Sequence, residues 1–309
     1  MIENKYIYFT TQSYSYMRDE LSKHENFEQG EIDFKIFPDG EKYQKVISSV
    51  KGKNIIVIGG TISETDTLEL YDLCCGLAKF GAKSLIIVIP YFGYATMERA
   101  VKFQEIVTAK TRARLLSSIP LAKEGNHFVL IDLHSEGIPH YFEGSATTSH
   151  LYAKPVIFKA IKDVYPDNDF VLGCTDSGRA KWVESLANDL GVNPAFILKR
   201  RISGSKTEIM AVNAQVENKN VIIYDDMIRT GSSLINAANA YKNAGAKEII
   251  AITTHGLFPE NSLKKIEDTN LFKKIITLNT HPNVLKEANS NLIVYSVCDL
   301  IVSHIENDL

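Results

Sequence analysis

Cysteine is scarce: the chain of 309 residues has four, at Cys74, Cys75, Cys174 and Cys298. Adjacent Cys74 and Cys75 cannot form a C-x-x-C metal clip, and no Cys/His spacing has the pattern of a zinc site. Buried, reduced thiols of a cytoplasmic protein are the expectation. Long apolar runs are missing too. The longest, Ile55-Ile56-Val57-Ile58 and Leu85-Ile86-Ile87-Val88-Ile89-Pro90, have the length of strands and fall far short of the roughly 20 residues of a membrane helix. Met1-Ile2-Glu3-Asn4-Lys5 has no basic stretch leading into an apolar one, so no signal peptide is expected. There is no excess of positive charge: 34 Lys and Arg stand against 37 Asp and Glu, a net charge of −3. That argues against a nucleic-acid partner, but a few placed cations suffice for a polyanionic small molecule. The sequence contains no G-x-x-x-x-G-K-[S/T], so any nucleotide is not held by a Walker A loop.

What is present is globular. With 45% hydrophobic and 23% charged residues, the chain can bury a core and is not intrinsically disordered. Its length suits about two domains. Short apolar runs alternate with amphipathic segments of helical length. Strands are expected at Ile55–Ile58, Leu85–Ile89, Phe128–Leu133, Phe170–Cys174, Ala195–Leu198, Val221–Tyr224, Glu248–Thr254 and Lys274–Leu278. Helices are expected at Leu68–Phe80, Val107–Ile119, Val156–Val164, Arg179–Leu190, Ser233–Ala244 and Ser262–Asp268, with Asn291–Leu300 a further strand–helix segment. Fully apolar strands separated by helices imply parallel sheets covered on both faces, an α/β fold. The segment Gly81-Ala82-Lys83 and its echo Gly245-Ala246-Lys247 each close a helix before a strand, which suggests two similarly built halves. No Pro/Ser-rich linker separates them.

In open parallel sheets ligands bind beyond the carboxyl ends of the strands. The segment Val221–Leu234 is the most specific of these places. Four strand residues lead into Asp225 and Asp226, and then Thr230-Gly231-Ser232-Ser233 opens a helix. Backbone N–H groups and hydroxyls at a helix start make an anion nest, and two carboxylates beside it can hold a sugar diol or face a magnesium ion. A bare helix cap with solvated acids would need only part of that pattern.

The chain here resembles the type I phosphoribosyltransferase-like proteins, and further segments narrow the resemblance to the ribose-phosphate pyrophosphokinases, or PRPP synthetases. These segments are Phe37-Pro38-Asp39-Gly40-Glu41, Ile89-Pro90-Tyr91-Phe92-Gly93-Tyr94-Ala95, Thr108-Ala109-Lys110, Asp132-Leu133-His134, Thr175-Asp176-Ser177-Gly178, Lys199-Arg200-Arg201 and Thr254-His255-Gly256-Leu257-Phe258. They follow the family's order over nearly the whole chain. The resemblance implies two doubly wound parallel-sheet domains, residues 1–147 on the ATP side and 148–309 on the ribose-phosphate side, the final stretch packing back on the first domain. It implies magnesium-dependent transfer of the β,γ-diphosphate of ATP to the anomeric hydroxyl of ribose 5-phosphate, releasing AMP. That transfer builds charge on non-bridging oxygens, so catalysis is positioning and electrostatic stabilisation. Lys199 and Arg201 would then be catalytic cations on a mobile loop. Phe37 would stack on adenine, with Asp39 and Glu41 accepting from its amino group. His134 and Asp176 would serve magnesium. Asp225, Asp226, Arg229, Thr230, Gly231, Ser232 and Ser233 would hold the ribose phosphate. A homo-oligomer is implied as well, its subunit contacts completing an ATP site at the junction of the two domains.

Three departures bear on substrate. The Arg-Gln that the family carries after Gly-Tyr-Ala is Thr96-Met97 here, leaving Arg99 or Lys102 to hold ATP with Thr96. The third acid of the phosphate loop is Arg229, and a glycine after Asp176 is replaced by Arg179. Both changes add cations on the sugar-phosphate side, which suggests a more anionic acceptor such as ADP-ribose, because an arginine can grip phosphate oxygens bidentately. Two other readings are a non-catalytic regulatory homologue and a phosphoribosyltransferase acting on a base. Lys199, Arg201, His134, Asp176, Asp225 and Asp226 argue against the first; the second leaves the N-terminal half without a task.

Overall fold

The computed structural model describes residues 6–203, 206–212, 215–287 and 291–309, with the backbone alone for Ser177 and 198–211. The chain forms two compact units, Met1–Tyr152 with Cys298–Leu309, and Ala153–Val297.

In the first unit the chain order is β1 (Tyr6–Thr10), α1 (Arg18–Leu21), β2 (Phe27–Gln29), β3 (Ile32–Ile36), β4 (Lys42–Val46), β5 (Asn54–Ile58), α2 (Glu64–Lys79), β6 (Ser84–Ile89), α3 (Thr108–Ser117), β7 (Asn126–Ile131) and β8 (Thr147–Leu151). Six of these strands form one sheet in the order β2-β1-β5-β6-β7-β8, every pair parallel. Alternate residues of β5 and β6 divide between its two faces. Ile55, Val57, Leu85 and Ile87 pack in one cluster with Leu70 and Leu77 of α2 and Ala113 and Leu116 of α3. Ile56, Ile58, Ile86 and Val88 are equally buried on the other face. This double burial is why the strands read as unbroken apolar runs. Because β8, which begins at residue 147, pairs with β7, the first unit runs on through Tyr152. Ser63 caps α2 by accepting from the Asp66 amide at 3.1 Å, the expected chemistry of a helix start.

The hairpin of β3 and β4 stands apart as its own antiparallel pair, Ile36 facing Lys42 and Ile32 facing Val46. An isolated two-stranded hairpin is marginal in water. This one is fixed by Ile32 and Val46 against the core and by Lys42, whose Nζ lies 2.6 Å from the buried Glu69 carboxylate of α2.

The second unit contains α4 (Lys154–Val164), β9 (Val171–Cys174), α5 (Ala180–Leu190), β10 (Asn193–Ala195), β11 (Ile197–Ser203), β12 (Lys206–Val212), β13 (Val221–Ile228), α6 (Ser232–Asn243), β14 (Ile249–Gly256), α7 (Ser262–Glu267), β15 (Lys274–Leu278), α8 (Asn283–Glu287) and β16 (Leu292–Tyr295). Its sheet repeats the plan of the first, six parallel strands in the order β10-β9-β13-β14-β15-β16. The expected α/β fold with parallel sheets is therefore the observed one. Helix α9 (Cys298–Asp308) returns to the first unit, where Ser149 and His304 lie 2.9 Å apart and Asn26 donates to Glu306 at 2.9 Å. Among the described residues no helix is long and apolar enough to cross a membrane.

Two expectations need correction. The strand expected to end at Tyr224 continues to Ile228, because β14 supplies backbone partners as far as Gly256. Lys199 and Arg201 do not lie in a loop after a strand. Their backbone belongs to β11, which pairs antiparallel with β12, Lys199 opposite Ile209 and Arg201 opposite Thr207.

Candidate active site

In the second unit, β9 and β13 are neighbours, with Cys174 opposite Tyr224, so the residues that follow β9 lie beside the carboxyl end of β13. Asp225 and Asp226 occupy that end. The Thr175 hydroxyl donates to Asp225 Oδ2 at 2.8 Å, and the Asp226 amide donates to Asp225 Oδ1 at 3.0 Å. Asp226 is buried and forms an ion pair with the guanidinium of Arg179, at the start of α5. Burial, and after it the charge of Asp226, push the Asp225 carboxyl well above the usual carboxylate range. The Thr175 hydrogen bond opposes this shift without cancelling it.

After β13 come Arg229 and Thr230, both exposed, and then Gly231 at φ 79° as the residue capping α6. That backbone conformation favours glycine, and a Cβ there would also overlap the Ile266 side chain. The position is thus doubly closed to larger residues. The N-cap Gly231 gives α6 no side-chain cap and no acid sits in its first turn, so its leading N–H groups present the positive end of the helix. The Thr230 and Ser232 hydroxyls stand 3.3 Å apart beside them, and Ser232 and Ser233 are exposed. Amide dipoles, hydroxyls and a positive helix end together form surroundings that suit an anion. Behind it Trp182 of α5 stacks on Tyr224, ring centroids 3.8 Å apart, which ties α5 to the strand carrying both acids.

Asp176 follows Thr175, and its Oδ1 accepts from the Gly178 amide at 2.9 Å, an Asx turn that orients the carboxylate. The side chains of Lys199 and Arg201 lie outside the described residues.

In the first unit, Phe37, Asp39 and Glu41 sit on the β3–β4 turn. Phe37 donates its amide to the Glu41 carbonyl at 2.8 Å, Gly40 donates to Phe37 O at 2.9 Å, and Asp39 Oδ1 accepts from the Glu41 amide at 3.1 Å. Considered alone, Phe37 has the composition of a core residue; in the fold it is 46% exposed, its ring edge-on to Tyr43 at 6.2 Å. An aromatic ring held at a hairpin tip has a face to offer to a base. Thr96 and Arg99 are exposed beyond β6, and Arg99 pairs with the adjacent Glu98 at 3.3 Å. His134 is exposed just beyond β7, after a turn in which Asp132 takes φ 39° and the Leu133 amide donates to His150 Nε2 at 2.9 Å. Sequence reasoning missed Thr175 as the partner of Asp225. It also missed Glu64, which accepts from Tyr94 and Arg112 at the carboxyl end of the first sheet. The strand-end position of Thr175 was the available signal; the partners of Glu64 are 30 and 48 residues away in sequence.

Arg179 corrects one expectation. It was read as a cation available to a second substrate phosphate, but its guanidinium is engaged by Asp226. Asp176 and His134 belong to different units, and among the described residues no three His, Cys, Asp or Glu side chains converge to hold a metal. The donors are nevertheless of a kind that suits magnesium. That ion keeps several waters and binds through one or two carboxylates together with substrate phosphates, so it does not require a protein cage.

Parallel sheets with an acid pair at one strand end and an open, glycine-started helix after it define a phosphoribosyltransferase-like protein. Residues 6–119 match the N-terminal domain of ribose phosphate pyrophosphokinase, and residues 177–306 match the phosphoribosyl synthetase-associated domain. The ribose-phosphate pyrophosphokinase of Thermotoga maritima is 30% identical over 290 residues, covering 92% of this chain and 89% of that protein. That of Aquifex aeolicus is 34% identical over 269 residues, covering 86% and 83%. A crystal structure of phosphoribosylpyrophosphate synthetase from Mycobacterium smegmatis matches with a TM-score of 0.86 at 25% identity over 98% of each chain. The chain belongs to the ribose-phosphate pyrophosphokinase family, whose members are diphosphokinases, a kind of transferase.

Proposed function

We propose that the protein transfers the β,γ-diphosphate of ATP to the anomeric hydroxyl of ribose 5-phosphate, forming PRPP and AMP. The observation that carries this reading is the end of β13, where two carboxylates are followed by the uncapped, glycine-started α6. The carboxylates accept from the pentose diol, and the α6 amides with Thr230, Ser232 and Ser233 take the 5-phosphate. The anomeric hydroxyl oxygen attacks the β-phosphorus, the bond from that phosphorus to the α-phosphate bridging oxygen breaks, AMP leaves with that oxygen, and the hydroxyl proton passes to solvent. Lys199 and Arg201 on β11 are assigned to neutralise the transferred diphosphate as its charge shifts. Phe37 is assigned to the adenine face, Asp39 and Glu41 to its amino group, and Thr96 and Arg99 to the remainder of ATP. Magnesium, for which Asp176 and His134 are the assigned residues, supplies charge neutralisation on the substrate phosphates when bound.

ADP-ribose as acceptor loses the support drawn from Arg179, whose guanidinium is paired with Asp226. The test is AMP release from ATP with ribose 5-phosphate and with ADP-ribose in parallel. Turnover with ribose 5-phosphate is expected; turnover with ADP-ribose alone would overturn the proposed acceptor. Lys199→Ala is expected to lower kcat by about 100–1000-fold, the usual effect of removing one donor to a developing charge. An unchanged rate would remove β11 from the mechanism. We further assign the protein to the cytoplasm, as a homo-oligomer, following its resemblance to the family.

A further inference from the structure

The turn after β9 holds each acid of β13 in a different way. Thr175 gives Asp225 a neutral hydroxyl, whereas Arg179 gives Asp226 a full positive charge. Both partners of the ion pair are largely withdrawn from water, with side-chain exposure of 18% for Arg179 and 5% for Asp226. A carboxylate so enclosed requires compensation, and a guanidinium supplies it with a planar fork that also dictates the direction of the carboxylate. Arg179 is itself well anchored. It is the N-cap residue of α5, three residues before Trp182, which stacks on Tyr224, and Tyr224 precedes the acid pair on β13. Strand, helix start and ion pair thus form one closed arrangement around Asp226.

We propose that Arg179 is a positioning residue for the acceptor sugar. It fixes the Asp226 carboxylate at the end of β13 in the orientation that the pentose diol requires, and it acts through Asp226 rather than on the substrate phosphate. The inference rests on the diphosphoryl-transfer reading above. The structure gives the Arg179 guanidinium to Asp226, whose enclosed charge it compensates.

The test is steady-state AMP release with ribose 5-phosphate varied, for the parent protein, Arg179→Met, Arg179→Lys, Asp226→Asn and the Arg179→Met/Asp226→Asn double variant, with thermal melting of each. Arg179→Met is expected to raise KM for ribose 5-phosphate by about 10–100-fold, the scale of a misplaced binding group. Its kcat and its KM for ATP should remain within a few-fold of the parent. Arg179→Lys should recover part of the loss, and it carries the test if the Met variant does not fold. The double variant should bind ribose 5-phosphate no more weakly than Asp226→Asn alone, because Arg179 acts on the sugar through Asp226. Losses that multiply in the double variant would overturn the proposal, as would an unchanged KM in Arg179→Met. If the parent releases no AMP, the diphosphoryl-transfer reading fails separately. Calorimetric titration of ribose 5-phosphate into the same variants then decides the role of Arg179 by the same pattern of dissociation constants, and absence of binding to the parent would overturn it.

Discussion

Lys42→Met will destabilise the first unit by about 3–5 kcal/mol, the cost of removing one partner from a buried ion pair. Glu69 is 4% exposed; its Oε2 lies 2.6 Å from Lys42 Nζ, and its Oε1 accepts from the Gln12 amide at 2.6 Å. Methionine keeps the length of the side chain and its packing over Phe34, where the ammonium now sits 5.7 Å from the ring centroid, but leaves the carboxylate without its cation. Adding Glu69→Gln to Lys42→Met should recover much of the loss, because the stranded charge is then gone. The expected signature is a lower melting temperature together with faster amide exchange in β3 and β4, since this hairpin has no strand partner in the main sheet. KM for ATP should rise with it, because the hairpin tip carries Phe37, Asp39 and Glu41. Equal destabilisation by the single and double variants would show that the pair contributes packing and not charge compensation.

The parts of this fold that could be read from the sequence are those whose side chains face the same environment along a whole element. Strands β5, β6, β7 and β13 are buried on both faces, so Ile55–Ile58 or Val221–Tyr224 declares itself without any knowledge of neighbours. The β3–β4 hairpin could not be read in that way. Its residues are half-buried or exposed, it mixes Lys, Asp and Gln with aromatics, and its position depends on Glu69, 27 residues from Lys42. The true end of β13 was hidden for a related reason. Asp225 and Asp226 are poor strand formers, yet β14 continues the ladder past them, so tertiary pairing overrides propensity. Lys199-Arg200-Arg201-Ile202-Ser203 has the composition of a solvated loop and becomes a strand only because β12 folds back on it.

Within the site, the division was between order and pairing. The strand–Asp-Asp–Thr-Gly–helix order around Asp225 and Gly231 was legible because it is local and its chemistry follows from where helix dipoles and strand ends point. The role of Arg179 was not, because its charge was assigned to the substrate when Asp226, 47 residues away in the chain, takes it. A cation near an anion site has two possible customers, a ligand and a buried acid, and only the fold says which comes first.

Asp225→Asn should make the ligand-free protein more stable while abolishing turnover. In the folded chain burial and the Asp226 charge raise the Asp225 pKa, so the fold favours the protonated carboxyl. Above the ordinary carboxylate value of about 4, the unfolded chain releases that proton and the folded chain retains it. Stability therefore declines as pH rises from there through the raised value, and the decline is complete above it. Asparagine has the same shape and no charge, so the variant should melt higher than the parent at pH 7–8, by about 2–4 °C for each kcal/mol of penalty removed. The difference should close as pH is lowered below about 4, where the folded and the unfolded parent are both protonated. Activity should move the opposite way, with AMP release lost in the variant because an amide cannot accept from the pentose diol as a carboxylate does. Ribose 5-phosphate, by donating to the ionised form, should release a proton from the parent on binding. That release is measurable as a dependence of the binding heat on buffer ionisation enthalpy, and it should be absent in Asp225→Asn. A variant that melts lower than the parent at pH 8 would show that the acid pair is not a strained element of the fold. An equal proton release in parent and variant would assign the titrating group elsewhere.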